Sequence, residues 1–178
     1  NFLPYFLFIM YLLNRGSTVT QAMFMNCDHS MLTYRFYRQP KTILELFRRR
    51  IVDIVKINLE PAFVIALALP FLLWLSGGTS ENLNYIVLFV SIISMAIFFS
   101  VHHLVIYYLL QPYNINMEMK SPAYQVINGA TYFICYYMMD LKMPTMVFGT
   151  VMIVFAVAYV LISLFLAYRY APKTFHLK

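Results

Sequence analysis

Long apolar runs decide what this chain can fold into. A helix needs roughly 20 predominantly apolar residues to cross about 30 Å of hydrocarbon, and four stretches are long enough: Leu59 to Leu75, Leu83 to Leu110, Ala123 to Met139 and Met143 to Tyr168. A fifth, Asn1 to Leu13, is apolar for about half a crossing before Asn14-Arg15-Gly16, and reads as the end of a transmembrane helix of a longer polypeptide. The rest of the composition agrees. Of 178 residues 62% are hydrophobic and 11% charged, against about 25% charged in an ordinary soluble domain. The expected fold is an all-α integral membrane protein with four full transmembrane helices, a truncated first one and an amphipathic helical cytoplasmic segment. It divides into 1–14 (truncated span), 15–58 (cytoplasmic or interfacial helices) and 59–178 (four-helix membrane region with a cytoplasmic tail). Cys27 and Cys135 are too few for a disulfide framework.

If every span crosses, the connections 15–58, 111–122 and 169–178 share one side, and 76–82 and 140–142 share the other. Of the 13 Lys and Arg, only Lys142 falls on the second side. Basic residues mark the cytoplasmic side of a membrane protein, so 15–58 and the C-terminus are expected in the cytoplasm and the chain in a plasma membrane. The net charge of +6 is thereby explained by topology and contact with anionic lipids, without nucleic acid as a partner. Both outer loops are too short to form a domain.

The segment 15–58 is longer than a simple connection requires. Val19, Met23, Cys27, Met31 and Tyr34 recur at helical spacing and predict an apolar face ending before Pro40. Tyr34 to Lys41 alternates aromatic and basic residues, a pattern suited to the headgroup layer. Thr42, with Glu45 three residues on, forms a capping-box pattern. The helix that follows carries a stripe of alternating charge, Glu45, Arg49, Asp53, Lys56 and Glu60. A second, apolar surface is made of Ile43, Phe47, Ile51, Ile54 and Ile57. This helix is expected to run directly into the Leu59 span.

The block Asn26-Cys27-Asp28-His29-Ser30-Met31-Leu32, followed by Tyr34-Arg35-Phe36-Tyr37-Arg38 and Leu46-Phe47-Arg48-Arg49-Arg50, resembles the membrane subunits of ATP-binding-cassette exporters, specifically type-2 permeases of Gram-positive bacteria. His102-His103 and Tyr107-Tyr108-Leu109-Leu110-Gln111-Pro112-Tyr113 extend the resemblance. It implies a permease that couples a separate cytoplasmic ATPase to substrate movement and pairs with a second permease copy or half. ATP and Mg would sit on that ATPase, with no cofactor on this chain. Asp28, Arg35, Arg38, Glu45, Arg48, Arg49 and Arg50 are the implied ATPase-coupling residues. No phosphate-cradling Gly-x-x-x-x-Gly-Lys-Ser/Thr loop is present, as expected of a chain whose motor is a partner.

His102 and His103 are ionisable residues in the middle of a span, which makes them functional candidates. Neighbours on a helix diverge by about 100°, so the two are not expected to ligate one metal. Together with Glu60 they are candidates for a substrate path, although a His satisfied by a neighbouring helix and a Lys56–Glu60 ion pair are the simpler readings. Neither catalytic residues nor metal ligands are expected. The rival reading is a non-transporting membrane scaffold, or a membrane-embedded enzyme that uses the histidines.

Overall fold

A computed structural model describes residues 3–34, 39–77, 81–116 and 118–176. Helix α1 is Leu3–Leu13, and α2 (Gly16–Met23) continues through a π-helical turn, Phe24–Asp28, into a short turn, α3 (His29–Met31). The long helices α4 (Pro40–Leu75), α5 (Leu83–Leu110) and α7 (Thr145–Thr174) follow, with α6 (Pro122–Met138) between the last two. Among the described residues, extended pairing is limited to one antiparallel bridge between Tyr113 and Met119.

Among the described residues three helices, α4, α5 and α7, are long and apolar enough to cross a membrane. Helix α6, the fourth expected span, has 17 residues, about 26 Å at 1.5 Å per residue, and is shorter than the 28, 30 and 36 residues of the others. Half of the apolar window of α5 is buried, against 17% for α4 and 22% for α7. Helix α5 is therefore the central post, packed on α4, α7, α1 and α2. The outer faces of its neighbours stay apolar: Phe63, Val64, Leu67 and Phe71 on α4, and Val151, Val154, Leu161 and Phe165 on α7, are exposed. Water would not tolerate so continuous an apolar surface, and a bilayer would.

Helix α4 begins at Pro40, with Gln39 as the extended residue before it and no side-chain cap, so the Thr42 capping box does not form. Proline at the first helical position supplies a preset φ and lacks only an N–H that a helix start leaves unpaired anyway. The helix then runs unbroken through Pro61 and Pro70, so no boundary separates the amphipathic half from the apolar half. Each internal proline leaves the carbonyl four residues earlier, of Ile57 and Ala66, without its usual N–H donor.

Two apolar clusters stack along the bundle. One, at the end that holds α2, α3 and the start of α4, gathers Phe24, Ile43, Phe47, Ile54, Leu104, Tyr107, Tyr108, Tyr113 and Phe175. The other gathers Leu7, Met10, Ala62, Ala66, Ile92, Met95, Phe99 and Phe148 toward the far end. Close approach of α5 and α7 depends on Gly149, where a Cβ would lie 2.5 Å from Ser91 Oγ and from Val87 Cγ1.

Candidate functional site

The buried face of the α2 to α3 segment is Gly16, Thr20, Phe24, Asp28 and Leu32, a strict four-residue spacing. Of the predicted stripe, Val19, Met23 and Met31 are half-buried and pack against the same core, while Cys27 and Tyr34 are exposed. On α4 the buried line is Ile43, Phe47, Arg50, Ile54 and Asn58, while Ile51 is half-buried and Ile57 exposed. Each line thus carries polar groups inward, and they meet. The Asn58 Oδ1 accepts the Arg15 N–H at 2.8 Å, and Arg50 reaches Asp28.

Asp28 is fully buried at the end of the π-helical turn. Its carboxylate accepts both Nη groups of Arg50 in a bidentate pair, and its Oδ2 also accepts the Tyr107 hydroxyl at 2.5 Å. The Arg50 guanidinium lies 5.7 Å from the centre of the Tyr108 ring, a cation–π distance. Tyr108 stacks on Phe175 with centroids 4.3 Å apart and planes 7° from parallel, and its carbonyl accepts the Thr174 hydroxyl at 3.1 Å. The pair therefore ties the π-helical turn, α4, α5 and the end of α7 at one point. A buried charge is tolerated only when it is paired and its remaining lone pairs are occupied, and here Arg50 and Tyr107 do both.

Of the residues predicted to couple to an ATPase, Asp28 and Arg50 are buried. Arg48, Arg49 and Glu45 are exposed, and the Arg49–Glu45 ion pair closes at 2.6 Å one turn apart. Arg35 and Arg38 lie outside the described residues. The sequence signal that sets Arg50 apart from Arg48 and Arg49 is its place, three residues after Phe47 and four before Ile54, on the apolar line.

His102 and His103 diverge, as adjacent helical positions must. His102 bridges α5 to two helices, with Nδ1 2.8 Å from the Tyr159 hydroxyl and Nε2 3.0 Å from Thr131 Oγ1. Thr131 donates its own proton to the Ile127 carbonyl at 2.9 Å, so in the neutral ring Nε2 carries the hydrogen and Nδ1 accepts from Tyr159. His103 is buried, and its Nδ1 has no partner among the described residues. Its ring stacks on Tyr11 at 6.4 Å and meets the α1–α2 turn, where a Cβ on Gly16 would fall 2.6 Å from its Cβ and Cδ2. Glu60 is exposed on α4 and makes no ion pair with Lys56.

A cavity of about 1020 Å³ opens at the far end of the bundle between α1, α4, α5 and the start of α7. None of His102, His103 and Glu60 lines it, so the residues predicted for a substrate path are not brought to this space. Leu88 is its deepest lining residue on α5, and His102 stands 14 positions further on, about 21 Å along the helix. Among the described residues, no group of three or more His, Cys, Asp and Glu could hold a metal ion. Comparisons of the chain with family models, with curated proteins and with solved structures return no match.

Proposed function

We propose that this chain is a membrane-spanning permease subunit that couples a separate cytoplasmic ATPase to substrate export. In this reading α6 completes a fourth crossing, 15–58 and the C-terminus face the cytoplasm of a plasma membrane, and a second permease copy or half completes the assembly. ATP and Mg belong to the partner. The reading is supported above all by α4. One unbroken helix joins an exposed charged turn, Glu45, Arg48 and Arg49, to an apolar half with the length of a crossing. A push on that turn has no loop in which to dissipate. Asp28 and Arg50 serve as the internal clamp that makes the π-helical turn, α4 and α5 move together, and Tyr107 fixes the carboxylate from the α5 side.

Co-purification of the full-length protein from its native membrane in mild detergent tests the proposal. The expected result is an ATPase that comes down with the parent chain and is lost from the Arg48→Glu/Arg49→Glu variant. Both positions are exposed, and the one ion pair sacrificed is worth only about 0.3–0.5 kcal/mol, so the variant keeps its fold. If no ATPase accompanies the parent chain under conditions that hold other membrane complexes together, the proposal fails.

A further inference from the structure

The polar groups of α6 lie on its inner side. Tyr124, Asn128, Thr131 and Cys135 follow at spacings of four, three and four and are buried or half-buried, whereas Val126, Phe133 and Ile134 are exposed. At Thr131 this stripe is paired, through His102. One turn earlier it is not. The Asn128 Oδ1 and the Tyr124 hydroxyl are buried without a hydrogen-bond partner among the described residues, and so is the His103 Nδ1 on α5. Tyr11 of α1 links the three. Its ring stacks on His103, its hydroxyl donates to the Asn128 carbonyl, and Tyr124 stands within electrostatic reach of that hydroxyl. Tyr124 is 1% and His103 6% exposed, so bulk solvent does not satisfy them.

Each unpaired group costs free energy in a folded interior, and folded proteins seldom keep several side by side. The three also differ in what they require. The Tyr124 hydroxyl can donate, the Asn128 Oδ1 can accept, and the imidazole nitrogen does either according to its tautomer. A cation would meet only acceptors and an anion only donors. Water meets both, and a buried water makes about three hydrogen bonds. We propose that the seam between α6 and the α1–α5 pair is a site for bound water, which bridges the Tyr124 hydroxyl, the Asn128 Oδ1 and the His103 Nδ1, with the Tyr11 hydroxyl oxygen as a further acceptor. Ionisable side chains within membrane bundles face the bundle interior or hydrated places of this kind. The site needs no ATPase partner, so it stands or falls separately from the function proposed above.

X-ray hydroxyl-radical footprinting of the full-length chain in lipid nanodiscs tests the proposal, because radiolysis makes the radical from bound as well as bulk water. Tyr124 and His103 are the reporters. Phe47 and Met95, fully buried in the two apolar clusters, set the background. Both reporters are expected to be oxidised well above that background. Asn128→Leu replaces the acceptor with hydrocarbon, and His103→Leu removes the ring nitrogen. In each variant that retains the parent's thermal transition, oxidation of Tyr124 should fall to the Phe47 level. Transient opening of α6 to bulk solvent predicts the reverse, label that persists or rises. Tyr124 at background in the parent chain overturns the proposal, and so does Tyr124 label retained in a folded variant.

Discussion

The guanidinium of Arg50 and the carboxylate of Asp28, 22 positions apart in the chain, form a bidentate pair inside the protein, and the Tyr107 hydroxyl closes the carboxylate from a third helix. Arg50 ends the basic run Arg48-Arg49-Arg50, whereas Asp28 lies in 16–34, which contains neither Lys nor Arg. The pair joins the π-helical turn, α4 and α5 in a single body, and its energetics lead to an asymmetry.

Removing one partner strands the other. Arg50→Met or Asp28→Leu alone should cost about 3–5 kcal/mol, because an uncompensated charge stays buried, whereas the double variant should recover most of the loss. Thermal unfolding of the purified variants in one detergent checks this. A double variant as unstable as either single would show that the pair is not coupled. Tyr107→Phe, which deletes one hydrogen bond to a charged group, should cost about 1.5–3 kcal/mol.

Helix α6 is held to α1 and α5 by ring contacts of Phe8 with Tyr132 and Tyr136 and by two cross-helix hydrogen bonds, Tyr11 to the Asn128 carbonyl at 3.2 Å and His102 to Thr131 at 3.0 Å. Cys135 is buried on this helix while Cys27 is exposed. A membrane-permeant maleimide should therefore modify Cys27 quickly and Cys135 slowly. Thr131→Val and Tyr11→Phe should each accelerate the Cys135 reaction by roughly fivefold, the equivalent of losing a bond worth about 1 kcal/mol, and leave Cys27 unchanged. Equal reactivity of the two cysteines in the parent chain would contradict the placement of α6.

Two helical glycines should respond oppositely to alanine. At Gly149 the added methyl meets Ser91 and Val87 at 2.5 Å, so α7 must move away from α5, at a cost of about 1–3 kcal/mol. At Gly129 nothing lies within 4 Å of the new atom, and the helix gains up to about 1 kcal/mol from the better helix former. Unfolding midpoints of the two variants in the same nanodisc report the difference in sign.

The bridge made by His102 can be tested by substitution as well. His102→Phe removes bonds to Tyr159 and Thr131 and should loosen α5 against both α6 and α7, with a cost of about 1–3 kcal/mol. Double-mutant cycles with Tyr159→Phe should show coupling between the two positions, and strict additivity would remove the bond from the account.

Much of the architecture was legible because hydrophobic burial acts on long stretches. Runs such as Leu83 to Leu110 and Met143 to Tyr168 contain so little polarity that a helix with apolar surroundings is nearly the sole way to satisfy their backbone groups, whatever packs beside them. The same reasoning anticipated that α4 would run on from the charged stretch into its apolar half. It failed where a choice between adjacent positions mattered. The predicted stripe of 19–34 does reach the core at Val19, Met23 and Met31, but the fully buried line is the one beside it, with Thr20 and Asp28.

That outcome follows from partners distant in sequence. A carboxylate at position 28 is tolerable in the interior only because Arg50 and Tyr107 arrive from α4 and α5, and no local pattern records their arrival. The far-end cavity is likewise a property of four helix ends held apart, to which each helix contributes only residues unremarkable in their own segment. Apolar length and charge asymmetry are local sums, so the chain carried them openly. Which charges are buried, which histidine nitrogen is satisfied and where space is left depend on distances between helices, and those exist only once the bundle has packed.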